Sequence, residues 1–396
     1  MRFLFVSDFL ADPDSGAAGS LIAIGSALRA RGHHVHDLWH VDGPLGPRFP
    51  ALVGAVELPL RQLRQVRTAL LRERYDVVIV SQPYAFAIYE RLASAHPRTL
   101  FLNRTHGWED RLEEVERTYC LSAPRSLPRA LARVARRSLL HRWCHRTACS
   151  AHGIIAPSTN DAHFIIERYG IRNDGVAVIA YGVGPEFLEA PAGDRSPYET
   201  RMLFAGQYLA RKGTGVLERT MPELGRRYPN LRLTMVVPPP DVARVDAIYR
   251  PAFGSRLDVL SWVTRQELRS IYLDHHVFLF PSYFEGFGKT FLEAMASGCC
   301  VVGFATGGLP DIGRNGENSL FCAAGDESAF AGLVARCATA PELVRKLGMA
   351  ASEAARRYTW ERTAEATERF CLERGTALLG WSRSGSHFGV ESGGLV

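Results

Sequence analysis

Val277-Phe-Leu-Phe-Pro281-Ser-Tyr-Phe-Glu285-Gly286-Phe287-Gly288-Lys289-Thr290-Phe-Leu-Glu293-Ala-Met-Ala-Ser-Gly298 is the stretch of this chain that decides its fold. It opens as a short apolar run, turns through two glycines, and continues with apolar residues at helical spacing. A strand, a tight loop and a helix in that order form the unit of parallel, helix-covered sheets. Gly286 and Gly288 allow close backbone approach to a ligand, because no Cβ intervenes. The helix that starts near Lys289 presents unpaired N–H groups and a positive dipole end, which suits phosphate. Glu293 falls within about the first turn, where a carboxylate reaches a ribose diol. Glu285 sits in the preceding loop, open to sugar hydroxyls.

Outward from this stretch the same unit repeats. Residues 2–7, 34–38, 76–81, 99–103, 153–157 and 176–180 read as buried strands with helical periodicity between them. The first helix spans about 20–31 and ends at Gly32, a residue suited to a C-cap. A Gly-, Pro-, Asp- and Ser-rich loop over 182–199 reads as a linker. Strands follow at 202–205, 232–237, 257–260, 277–281 and 300–304. The expectation is an α/β chain of two doubly wound domains in series, 1–182 and 183–358, facing a cleft. A helix over 359–379 crosses back to the first domain, and a tail over 380–396 is expected to be disordered.

Composition agrees with a globular chain of that size. Of 396 residues, 46% are hydrophobic and 22% charged, and the net charge of +6 is too mild and too scattered for a nucleic-acid binder. Only Lys212, Lys289 and Lys346 are lysines, against 44 arginines. Two of those three fall in candidate phosphate loops, where a compact point charge differs from a planar fork. The eight cysteines form no CxxC pair and no disulfide framework, which fits a reducing cytoplasm. No run approaches the roughly 20 apolar residues of a membrane span.

Glu285 and Glu293, with Gly-Phe-Gly between them and Ala-Met-Ala-x-Gly after, resemble the signature of the retaining glycosyltransferases of family 4, group 1. That resemblance implies a GT-B fold, two Rossmann-like domains facing a central cleft, and covers the chain to about residue 376. It implies that Glu285 contacts the donor sugar and Glu293 the nucleotide ribose, with Gly286, Phe287, Gly288, Lys289 and Thr290 lining the donor. The segment 204–213 resembles the family's diphosphate loop. Lys212 then serves as the phosphate cation beside Arg211, although Gln207 stands where the family commonly has Arg. The resemblance also places Gly16 beside the donor phosphates and His106 near the reacting sugar. Trp262 and Val263 stand where a loop brackets the base, without its usual Gly. His106, Lys212 and Glu285 are the implied catalytic residues. The implied donor is a nucleoside-diphosphate sugar, UDP-sugar foremost, with no cofactor and no metal. The acceptor is a small molecule, a glycan or a lipid-linked group.

Other readings carry less. Asp12-Pro13-Asp14 is the metal triplet of another transferase fold, here broken by a proline. His141, Cys144, His145, Cys149 and His152 raise zinc, without the usual ligand spacing. Arg125, Arg129, Arg133, Arg136, Arg137, Arg142 and Arg146 form either a solvated helix face or a membrane-surface patch at the inner face of the membrane. Trp108 reads equally as a sugar-stacking ring or a core residue. A nicotinamide-dependent oxidoreductase needs G-x-G-x-x-G directly after a strand, and none follows the first strand. A non-catalytic sugar-binding protein is the remaining alternative.

Overall fold

In the computed structural model, which describes residues 1–40, 58–81, 85–121, 127–188, 195 and 198–381 (without the side chains of 127–133), the chain builds two parallel sheets. The first contains β1 (Arg2–Val6), β2 (His34–Leu38), β3 (Val77–Ser81), β4 (Leu100–Arg104), β5 (Gly153–Ala156) and β6 (Val176–Val178), in the order β2-β1-β3-β4-β5-β6. The second contains β7 (Thr200–Ala205), β8 (Leu231–Val236), β9 (Leu257–Leu260), β10 (Val277–Phe280), β11 (Cys300–Phe304) and β12 (Ser319–Cys322), in the order β12-β11-β10-β7-β8-β9. Central strands such as Val-Val-Ile-Val in β3 and Val-Phe-Leu-Phe in β10 are buried on both faces. Parallel sheets covered by helices on both sides demand such unbroken apolar runs.

The order of the second sheet reverses between β7 and β10, and that of the first between β1 and β3. Helices leaving on opposite faces at such a reversal open a crevice beyond the carboxyl ends of the strands. Both crevices face each other, so strand-end loops of the two sheets form the walls of one cleft.

The chain crosses between the sheets twice, side by side. Val183 pairs with Thr359 in an isolated bridge, and the Val183 N–H donates to the Tyr358 carbonyl at 2.9 Å. Gly182 is required there, since a Cβ would lie 2.3 Å from the Trp360 nitrogen. The helix Trp360–Leu379 then lies on the first sheet's layer. Thr363 Oγ1 donates to the Ala180 carbonyl at 2.9 Å, Arg31 pairs with Glu368 at 2.6 Å, and Arg374 Nε donates to the His152 carbonyl at 2.8 Å.

Three details differ from the sequence reading. β12 was hidden because its four residues follow Asn318 in what reads as a turn. The first helix begins at Gly16, capped by the Ser15 hydroxyl, several residues before the apolar periodicity does. Part of the 182–199 linker is helical, at Pro185–Leu188, while 189–194 and 196–197 lie outside the described residues. The tail also falls outside them beyond residue 381.

Candidate active site

Lys212 and Glu285 meet across the reversal point of the second sheet. Lys212 follows β7 and Glu285 follows β10, and the Lys212 ammonium donates to Glu285 Oε1 at 2.6 Å. Ser282 Oγ donates to the same oxygen at 2.9 Å. Both side chains are largely buried, so this ion pair is screened little by solvent. The sequence reading left Glu285 open to a ligand; instead Oε1 is doubly engaged, and only Oε2 accepts nothing among the described residues.

Glycine makes this close approach feasible. Gly213, at φ +75°, sits so near β10 that a Cβ would lie 1.9 Å from the Pro281 carbonyl oxygen. Arg211 is half-buried beside Lys212, and its guanidinium has no partner among the described residues. Gln207 is exposed. The loop after β7 therefore offers one cation tied to Glu285 and one untied among the described residues.

The helix Lys289–Ala296 starts at Gly288, in a left-handed conformation (φ +95°), and no side chain caps it. Its N-terminal N–H groups face the loop that carries Glu285. Phe287 is buried, 5.5 Å from the Phe291 ring, and Thr290 is half-buried in the first turn. Lys289 lies with its ammonium 5.9 Å from the Trp360 ring centroid. Burial pulls the Lys289 pKa down, and the Glu293 carboxylate opposes that shift. Glu293 is buried in the second turn, with Arg265 NH2 3.7 Å from Oε1. Burial pushes its carboxyl pKa up, while Lys289 and Arg265 pull it back. Trp262 is 47% exposed and Val263 packs against the core, so of these two only the Trp262 ring is presented to solvent.

The opposite wall comes from the first sheet. The His106 carbonyl oxygen lies so near Gly286 that a Cβ there would sit 2.1 Å from it. His106 Nδ1 lies 2.6 Å from the Tyr181 hydroxyl. Burial raises the Tyr181 pKa, so its hydroxyl keeps its proton; donation to Nδ1, rather than to the Thr105 carbonyl oxygen 3.4 Å away, places the ring proton on Nε2. Burial, with Arg104 and Lys289 nearby, pushes the His106 pKa down to about 3, so the ring is neutral at any working pH. Its Nε2 has no partner among the described residues.

Arg111 joins the two walls. It donates from Nε to Asp161 Oδ1 and from NH2 to the Glu285 carbonyl oxygen, both at 2.6 Å, and stacks 4.5 Å over the Phe284 ring. Thr159 N–H donates to Asp311 Oδ2 at 2.8 Å, and the Tyr119 ring meets the Tyr283 ring at 4.7 Å. Sequence reasoning missed Arg111, Asp161 and Arg265, because each acts through residues distant in the chain.

Other sequence expectations resolve differently. Trp108 is fully buried, with Nε1 donating to Tyr169 at 2.9 Å, so it is a core residue and cannot stack on a sugar. Gly16 is the first residue of its helix with open space around it; the glycine in close approach is Gly19, whose Cβ would meet the Pro13 oxygen at 2.3 Å. Arg136 pairs with Glu113 and Arg146 with Glu90, which favours the solvated-face reading for those two. Arg125 and the side chains of Arg129 and Arg133 lie outside the described residues. Among the described residues no three His, Cys, Asp or Glu side chains are grouped to hold a metal ion, and no helix is long and apolar enough to cross a membrane.

Two family models match the chain: Glycosyltransferase Family 4 over residues 15–187, and Glycosyl transferases group 1 over residues 199–340. A D-inositol 3-phosphate glycosyltransferase of Streptomyces bingchenggensis is 29% identical over 253 residues, 59% of this chain and 55% of that protein. The chain spans about half the length of the curated relatives it matches. Among solved structures, a sucrose-phosphate synthase of Thermosynechococcus elongatus aligns with a TM-score of 0.75 at 19% identity, covering 93% of this chain and 98% of that one. The Anabaena protein HepE, solved with UDP-glucose, aligns with a TM-score of 0.66 at 16% identity, covering 93% and 99%. These likenesses bear out the expected two-sheet GT-B architecture.

Proposed function

The chain belongs to the glycosyltransferases of family 4, group 1, and on that premise we propose that it moves a sugar from a nucleoside diphosphate to an acceptor hydroxyl with retention at the anomeric carbon. The observation that carries this reading is the Lys212–Glu285 pair beside the uncapped N-terminus of the helix Lys289–Ala296, at the reversal point of the second sheet. When the bond from the anomeric carbon to the diphosphate breaks, its electron pair stays on the phosphate oxygen. Lys212, Arg211, Lys289 and the helix N-terminus are preorganised cations and dipoles for that charge. The acceptor oxygen attacks the face the diphosphate leaves, and its proton passes to the departing phosphate oxygen. No enzyme nucleophile and no metal ion enters this scheme.

Donor binding exchanges partners. A diphosphate oxygen takes the Lys212 ammonium, and Glu285 turns from that ammonium to sugar hydroxyls. Glu293 accepts from the ribose diol, with Arg265 and Lys289 keeping it charged. His106 Nε2–H donates to a hydroxyl of the transferred sugar or the acceptor. UDP-sugar is the proposed donor, a reading supported by a fold shared with a protein solved with UDP-glucose. Incubation of the chain with UDP-sugars and an accepted hydroxyl compound, followed by the anomeric proton coupling of the product, tests both claims. Product with the donor's anomeric configuration is expected; the opposite configuration overturns retention.

A further inference from the structure

Three side chains of the first sheet's wall end in buried, unpartnered atoms, and two of them, Asp8 and Glu109, take no part in the donor reading. Asp8 follows β1, His106 lies just after β4, and Glu109 opens the helix Glu109–Thr118. Asp8 Oδ1, His106 Nε2 and Glu109 Oε2 are each closed off from the surface without a hydrogen-bond partner among the described residues. An unmade hydrogen bond on a buried polar atom costs about 1–3 kcal/mol. Three such atoms together point to a ligand that supplies the missing partners.

The three belong to one neighbourhood. The ring of Phe9, next to Asp8, meets the His106 ring edge-on with centroids 5.6 Å apart. The Asp8 carboxyl is near enough to raise the pKa of Glu109. His106 abuts Gly286, which places the group against the donor loop.

Charge selects the ligand. Burial, opposed by its own N–H and by His40, pushes the Asp8 carboxyl up to about 6, and burial also pushes the Glu109 carboxyl well above the usual range, aided by Asp8 and Asp161. Among the described residues no Arg or Lys is paired with either carboxyl, and His40 is the base that draws the Asp8 pKa down. Arg111 is taken by Asp161 and the Glu285 carbonyl. Arg104 is buried with NH1 3.4 Å from Thr367 Oγ1 and its guanidinium 5.5 Å from the Tyr181 ring centroid, on the Tyr181 side of His106, and its Nε and NH2 have no partner among the described residues. Lys289 lies toward Trp360. Among the described residues no three His, Cys, Asp or Glu side chains are grouped to hold a metal ion, while two carboxyls beside an imidazole suit an ammonium that donates hydrogen bonds.

We propose that Asp8, Glu109 and His106 form the acceptor subsite, and that its ligand is a ring polyol bearing a protonated amine. The ammonium sits between the two carboxylates, and a ring hydroxyl accepts from His106 Nε2. Charge-assisted bonds of this kind are short and strong. A phosphorylated polyol, such as appears in the name of the matched Streptomyces protein, meets two carboxyls of its own sign and is rejected. The assignment rests on the donor reading above only for what fills the facing wall.

The test uses the full chain and calorimetry. UDP is titrated first, which checks the donor reading alone. Glucosamine, glucose and glucose 6-phosphate are then titrated with and without UDP, and an aminocyclitol and inositol in parallel, so that amino sugar and aminocyclitol are told apart. Glucosamine or the aminocyclitol is expected to bind about ten-fold tighter than its amine-free partner, or ~1.4 kcal/mol, with the phosphate weakest. In Asp8→Asn/Glu109→Gln the preference falls to near one. Amines that bind no tighter than their partners, including no binding by either, overturn the proposal, as does a preference that survives the double variant. The wild-type comparison decides even if the variant fails to fold. An amine preference without UDP binding leaves the acidic subsite standing and removes the donor reading; UDP binding without the preference does the reverse.

Discussion

On the donor wall of the cleft, the Lys212 ammonium and the Ser282 hydroxyl both reach Glu285 Oε1, at 2.6 and 2.9 Å. On the facing wall, Asp8, His106 and Glu109 each end in a buried atom with no partner among the described residues. The Lys212–Glu285 pair satisfies itself without a ligand, so a ligand must exchange bonds there and gains little from any single one. The second is unsatisfied, so a ligand adds bonds there and relieves a cost already present. Specificity for the acceptor should therefore be sharper than affinity for the donor sugar.

The largest expected effect comes from cutting the link between the walls. Arg111→Ala leaves the fully buried Asp161 carboxylate without its cation and the Glu285 carbonyl without a donor. Stability should fall by about 3–5 kcal/mol, read from denaturant unfolding. An unchanged midpoint would mean that Arg111 is not what holds Asp161 charged.

Breaking the donor-wall pair comes next. Lys212→Ala should lower kcat by about 10²–10³-fold, since it removes one preorganised charge aimed at the leaving diphosphate. UDP affinity should change far less. Full turnover in this variant would be incompatible with the charge-stabilising role.

Pushing the walls apart is a milder change. Gly286→Ala places a Cβ 2.1 Å from the His106 oxygen. The strain should cost about 1–3 kcal/mol, seen as a lower Tm together with a lower kcat. A loss of Tm without loss of activity would show that the contact is structural alone.

The smallest effect sharpens the second wall. The Asp8 carboxyl titrates near 6 when folded, against 3.8 for the unconstrained group. The folded chain thus binds the extra proton between those values, and Asp8 costs stability progressively as pH rises from about 4 to about 6. Asp8→Asn should raise Tm at pH 7 by about 2 °C, and the gain should disappear below about pH 4. A lower Tm at pH 7 would mean that the carboxylate has a partner in the folded chain.

The two walls also differed in how far the sequence disclosed them. Glu285, Gly286, Gly288, Lys289 and Glu293 lie in one strand–loop–helix, so local spacing carries their geometry. Lys212 lies far upstream and was identified through family resemblance; its ion pair with Glu285 was not foreseen. Asp8 reads in the sequence only as the residue that interrupts an apolar run. Its proximity to Glu109 depends on strands two places apart in the sheet, β1 and β4, and no local pattern encodes that. Trp108 was ambiguous because an aromatic after a parallel strand suits a core or a cleft, and only the Tyr169 hydroxyl decides. The two-domain architecture was legible because buried parallel strands are unbroken apolar runs; β12, with a serine at its start, is not.

Whether the wall bearing Glu285 and Glu293 is a nucleotide-sugar site is decided by calorimetric titration of UDP, GDP and NADH into the wild-type chain and Glu293→Ala. UDP is expected to bind the wild-type chain and NADH is not, and Glu293→Ala should weaken UDP binding by about ten-fold or more through loss of a charge-assisted ribose contact. Binding of NADH with neither UDP nor GDP bound, or UDP affinity unchanged in Glu293→Ala, would contradict the nucleotide-sugar assignment.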